Sequence, residues 1–129
     1  MTALRISALC LALGLLLASS AVAGAQSAGE MLHACEFLQR GMHVEKDKIY
    51  YPASGEASKC WGFVIAVAQY AMIADQNGKT LLGACPGADM TPVEVIRIFV
   101  DYANAHPEKQ ELPAAAAAYN AMADAFPCK

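Results

Sequence analysis

The chain has 129 residues, 57% of them hydrophobic, and a formal net charge of −3. Nine lysines and arginines against twelve acidic side chains give no basic patch of the kind that binds nucleic acid. The length suits one small domain, and the content of Ala, Val and Ile gives it enough apolar material for a single core.

Arg5, the uncharged apolar run from Ala8 to Ala18, and small residues at Ala21-Val22-Ala23 or Ala23-Gly24-Ala25 have the three-part layout of a cleaved secretory signal. The run is shorter than the ~20 apolar residues that span a bilayer. The expected organisation is therefore a signal peptide over residues 1–25 and one domain over 26–129. Cys10 leaves with the signal, so Cys35, Cys60, Cys85 and Cys128 remain. An even set in an exported chain reads as two disulfides with three possible connectivities. No CxxC or HxxxH spacing builds a metal site from these cysteines with His33 or His43, and no cofactor motif is present.

Ser27-Ala28-Gly29-Glu30 is a capping box, in which serine and glutamate side chains satisfy each other's backbone amides. It predicts a first helix of about three turns, ending near Gly41, with Leu32, Cys35 and Leu38 on its buried face. From Gly41 to Ser54 the periodicity breaks into charges and aromatics, including Lys48, Tyr50 and Tyr51. This is the longest segment expected to be irregular; its adjacent tyrosines read either as one in the core and one on the surface or as paired anchors of a binding surface.

A second helix is predicted from Ser54-Gly55-Glu56 to about Asp75. Between Trp61 and Ala74 only Gln69 is polar, so the helix is expected at the centre of the domain. Gly62 and Ala66, one turn apart, are expected to admit a neighbouring helix. Asn77-Gly78 reads as its left-handed cap and turn.

Thr91-Pro92-Val93-Glu94 starts a third helix that reaches His106. Glu94, Arg97, Asp101 and Asn104 form one narrow polar stripe on it. So wide an apolar remainder means either a second central helix or an oligomer interface, most simply a twofold dimer.

Pro107 stops that helix, and Pro113 is placed to be the first residue of a fourth that runs to about Phe126. Tyr119, Met122 and Phe126 are its expected buried face, with Asn120 and Asp124 on the wet side. If the third and fourth helices form an antiparallel hairpin about the His106 to Leu112 turn, Cys85 lies near Cys128. Cys35 then pairs with Cys60. The fold class expected is all-α, a small four-helix domain stapled by two disulfides.

No GxSxG, HExxH, P-loop or dinucleotide-binding turn occurs, and each of these four cysteines has a structural role. His33 and His43 could face one another with Glu36 near, but a lone histidine on a small helix is more often a surface or satisfied residue, and a non-enzymatic role is expected.

Cys35, then Cys60-Trp61-Gly62-Phe63, Cys85-Pro86, a Thr91-started helix, His106-Pro107-Glu108, an alanine-rich helix and Phe126-Pro127-Cys128 form an ordered pattern. Over nearly the whole chain after the signal, it resembles the Rap/Tai family of immunity proteins. The resemblance implies a small all-helical periplasmic protein, often dimeric. Such a protein binds and blocks a peptidoglycan-cleaving amidase effector delivered by type VI secretion, without catalysis. A projecting loop would then plug the effector's cleft. The candidates are the Glu45–Tyr51 segment with Lys48, Tyr50 and Tyr51, the Pro107–Glu111 turn with Glu108, Lys109 and Glu111, and the Gln76–Thr80 turn. The rival readings are an acid-stress holdase and a structural periplasmic binding module.

Overall fold

The computed structural model describes residues 25–128, so the expected signal peptide lies outside the described residues except for Ala25. Four α-helices and one two-stranded hairpin make up the described residues: α1 (Ala28–Gly41), β1 (His43–Glu45), β2 (Lys48–Tyr50), α2 (Gly55–Ala71), α3 (Pro92–Ala105) and α4 (Ala114–Ala125). A single 3-10 turn, Pro107–Lys109, joins α3 to α4.

Helix α1 begins where the capping box predicts. Ser27 Oγ accepts from the Glu30 amide at 3.2 Å, and Glu30 Oε2 accepts from the Ser27 amide at 3.0 Å. The two remaining free amides of its first turn are taken by the α3–α4 connection: Ala28 N–H donates to the Leu112 carbonyl and Gly29 N–H to that of Gln110. Every orphan donor at this helix start thus has a partner, and the partners come from a segment about eighty residues away. Ser27 and Pro113 form a bridge at the same place, with the Ala114 amide donating to the Gln26 carbonyl. Pro113 consequently stands one position before its expected place: it is the extended cap residue (ψ 136°), and the helix starts at Ala114.

Helix α2 starts at its Ser54 cap but stops at Ala71, four residues short of the expected end. Its last turn tightens to Met72 N–H on the Gln69 carbonyl and Ile73 N–H on that of Tyr70. The chain then forms a small loop of its own. Asp75 Oδ1 accepts from the Asn77 and Lys79 amides at 2.8 and 2.9 Å, and Ala74 bridges Thr80. An aspartate that captures nearby amides competes with helix continuation. Gly78 does adopt a left-handed φ of 77°, as the turn of this loop rather than as the helix cap.

The expectation of α2 at the centre of the domain, covered by others on most sides, is also corrected. Ala57, Cys60, Val64, Val67 and Ala71 are buried, but Tyr70, Met72 and Ile73 are about half exposed. A Cβ placed on exposed Gly62 would meet nothing, so none of the described helices packs there.

Helix α3, like each of the other helices, packs against the remaining three; Val95, Ile96, Phe99, Val100 and Ala103 are buried, while Arg97, Asp101 and Asn104 stay exposed. Its broad apolar surface is accounted for inside the chain. Thr91 Oγ1 caps the Glu94 amide, and His106 ends the helix where Pro107 forbids a further turn. On α4 the buried face consists of Ala114, Ala117, Ala118, Ala121 and Met122; Phe126 is partly buried and Tyr119 is exposed. Small alanines bring the α4 backbone close to its neighbours, which pushes the longer Tyr119 out to the rim.

Both expected disulfides are present, Cys35–Cys60 and Cys85–Cys128, with sequence separations of 25 and 43 residues. In the loop-entropy account such closures contribute about 3.5 and about 4 kcal/mol. No described helix is long and apolar enough to cross a membrane.

Candidate functional site

The segment expected to be irregular contains the β-hairpin, with His43 opposite Tyr50, Val44 opposite Ile49 and Glu45 opposite Lys48. Its turn is Lys46-Asp47, and Lys46 takes a left-handed φ of 57°. Strands of three residues without an Asn-Gly or Asp-Gly turn leave little trace in a sequence. A hairpin this short is marginal on its own in water, so its placement depends on anchors.

Three anchors are evident. The His43 and Tyr50 rings stack across the strands at 5.1 Å with planes 8° apart. Tyr51 stacks on Trp61 of α2 at 5.3 Å. At the base, Gly41 lies so close to the Pro52 ring that a side chain on it would overlap the ring atoms.

Neither tyrosine enters the core: Tyr50 is 44% and Tyr51 40% exposed, and Val44 is 58% exposed. Lys48 is exposed beside them. The result is a narrow projection with aromatic rings held by stacking and charged side chains around its tip. Trp61 and His43, which fix those rings, were not among the expected contact residues. Their roles depend on Tyr51 folding back over α2 and on strand register, neither of which local spacing encodes.

The second candidate, the Pro107–Glu111 turn, is fastened by its backbone to the start of α1 through the Gln110 carbonyl, and by Gln110 Nε2 donating to the Ala103 carbonyl. Glu108 and Glu111 are exposed and Lys109 is partly so. His106 rests on the Tyr102 ring, and its Nδ1 lies 3.4 Å from Glu108 Oε1. The Glu108 carboxyl is held below the ordinary carboxylate value, chiefly by a hydrogen bond from its own backbone amide, against desolvation, which raises it. His106 and Lys109 also lower it. The hairpin is thus anchored to α2, the turn to α1 and α3.

The third candidate, Gln76–Thr80, flanks a shallow depression of about 390 Å³ lined by Ile73, Ala74, Asp75, Lys79, Thr80 and Leu81. A second depression, about 300 Å³, is lined by Gln26, Glu30, His33, Glu56 and Lys59. His33 thus lies with Glu30 and Glu56, whereas His43 stacks on Tyr50 and Glu36 pairs with Arg40 and accepts from Asn104. The histidine pair suggested by the sequence is not assembled. Among the described residues no group of three or more His, Cys, Asp or Glu side chains could hold a metal ion.

The model of the Rap1a immunity proteins matches residues 27–128. The chain belongs to that family. The match spans α1 to Cys128 and therefore the whole disulfide-stapled bundle. Comparison with curated proteins and with solved structures gives no match. Membership implies immunity to a secreted effector, a role that proteins of this family generally perform without being enzymes. The two disulfides agree with an oxidising compartment.

Proposed function

We propose that the chain protects its producer by binding and blocking a peptidoglycan amidase effector delivered by type VI secretion. It acts in the periplasm, after residues 1–25 are removed as a signal peptide. The observation that carries the reading is the anchored hairpin, which offers exposed Tyr50, Tyr51 and Val44 with Lys48 beside them. A two-stranded projection is narrow enough to enter a concave catalytic cleft. Stacked tyrosines supply contact area at low entropic cost because their rotamers are already fixed. Glu108, Lys109 and Glu111 on the α3–α4 turn form a second, charged contact that favours the encounter. Occlusion suffices for protection, so no catalytic group is needed.

The test is affinity for a purified peptidoglycan amidase effector of type VI secretion. Replacing Tyr50 and Tyr51 together by alanine should weaken binding about 10- to 100-fold, the range expected for truncating central aromatic contacts. Glu108→Ala with Glu111→Ala should mainly slow association. Unchanged binding in both variants removes these loops from the interface, and no binding by the native protein removes the amidase as target.

A twofold dimer fits alongside this reading. Its support is the apolar surface left uncovered at Tyr70, Met72, Ile73 and Leu81, each about half exposed, and sedimentation velocity tests it directly. An acid-stress holdase fits less well, because no charged side chain among the described residues is buried, so acid has no interior ion pair to break.

A further inference from the structure

The two disulfides sit in opposite surroundings. Cys35 and Cys60 are both 0% exposed and lie in the core cluster with Val64, Leu38 and Phe99, whereas Cys85 and Cys128 are both exposed. Exchange with an external thiol needs a thiolate to reach a sulfur, so exposure decides which bond a reductant meets first.

What the exposed bond holds is the connection between α2 and α3, residues 72–91. Most of the backbone hydrogen bonds of this connection run to itself: Asp75 to Lys79, Gly78 to Asp75, Leu81 to Ile73, Gly83 to Thr80 and Met90 to Gly87. Ala84 is buried in the core and Gly83 lies against Tyr119 of α4, but the hydrogen-bonded ties of the connection to the segment after α4 cluster at the disulfide. The Cys85 amide donates to the Phe126 carbonyl, Ala84 bridges Pro127, and Cys128 Sγ lies 3.8 Å from the Gly83 carbonyl and 3.9 Å from Thr80 Oγ1. Thr80 is also a wall of the depression lined by Ile73 and Leu81.

We infer that Cys85–Cys128 is a reducible latch on the 72–91 connection and its Ile73–Leu81 depression, while Cys35–Cys60 is a permanent part of the core. The reaction is dithiol exchange. One thiolate of a dithiol attacks a latch sulfur, forming a mixed disulfide and releasing the other cysteine as a thiolate. The second thiol of the reagent, as its thiolate, then displaces the remaining cysteine. The dithiol becomes a disulfide, losing two electrons and two protons, and Cys85 and Cys128 end as two thiols. The hairpin and the Pro107–Lys109 turn are fastened elsewhere and stay in place.

The experiment titrates the purified, fully oxidised protein with dithiothreitol, quenches with iodoacetamide and maps the alkylated peptides. The expected result is a window with two labels, on Cys85 and Cys128, and unchanged helical circular dichroism. Within it, amide exchange at residues 73–83 rises at least tenfold, while α1 and α2 around Cys35 and Cys60 keep their protection. The double variant Cys85→Ser, Cys128→Ser should show the same exchange pattern without reductant. Four labels appearing together, labelling that needs denaturant, earlier labelling of Cys35 and Cys60, or unchanged exchange at residues 73–83 in that window would each overturn the inference.

Discussion

Gly41→Ala tests whether the base of the hairpin is fixed by contact between Gly41 and Pro52. Gly41 ends α1, where alanine would normally gain up to about 1 kcal/mol over glycine. Here its Cβ would overlap Pro52 Cγ and come within 2.9 Å of Cδ. A proline ring cannot swing away as a flexible side chain would, so the two strands of the neck must separate. An overlap this close belongs at the upper end of overpacking costs, about 2–3 kcal/mol, which outweighs the propensity gain and leaves a net loss of about 1–2 kcal/mol. For a domain of this size that lowers Tm by roughly 4–15 °C. Urea unfolding followed by circular dichroism measures the loss, and a double-mutant cycle with Pro52→Ala isolates its cause. The doubly substituted protein should recover most of the cost of Gly41→Ala, giving a coupling energy of at least about 1 kcal/mol. A Gly41→Ala protein as stable as the native one, or a coupling energy near zero, would refute the close contact. Displacing the neck also moves Tyr50 and Tyr51, so binding to the proposed amidase target should weaken by more than stability alone explains.

Lys46→Gly should stabilise the hairpin by about 0.5–1 kcal/mol, because a left-handed φ strains a lysine but not a glycine; amide exchange at Glu45 and Lys48, the hydrogen-bonded pair that closes the turn, would show it. Gly62→Ala should raise stability by about 0.5–1 kcal/mol in thermal unfolding of the monomer, since its Cβ meets only open space. A loss at concentrations where the protein self-associates would show that a second copy covers this face. Because the Glu108 carboxyl is held below its ordinary value, its contribution to the α3–α4 turn is fully present above the unfolded-state value. That contribution is lost as pH falls through the lower folded value. Carboxyl chemical shifts should follow this course, and Glu108→Gln should abolish it while the turn's backbone hydrogen bonds to α1 persist.

Helix starts were legible because their signals are local. Ser27 and Glu30, Ser54, and Thr91, Pro92 and Glu94 each satisfy amides within three residues, and the structure retains all three caps. The disulfide pairing was legible too, since an antiparallel α3–α4 pair about Pro107 leaves Cys85 and Cys128 as neighbours. The candidate contact residues were only partly so. Tyr50 and Tyr51 attract notice by adjacency, but that both stay exposed, one stacked on His43 and the other on Trp61, follows from strand register and from the approach of α2.

By itself, then, the sequence determined the class of fold, the caps, the covalent staples and, through the spacing of cysteines and prolines, the resemblance to an immunity family. Each of these is written in residues close in the chain or in bonds of fixed chemistry. Tertiary structure alone decided where α2 ends, because Asp75 binds the Asn77 and Lys79 amides instead of continuing the helix. It also decided that α3 is buried by three neighbours, that Gly62 faces open space, and that Tyr119 yields the α4 interface to alanines. In each case an apolar pattern announces burial without naming the partner, and only packing chooses which surface is covered.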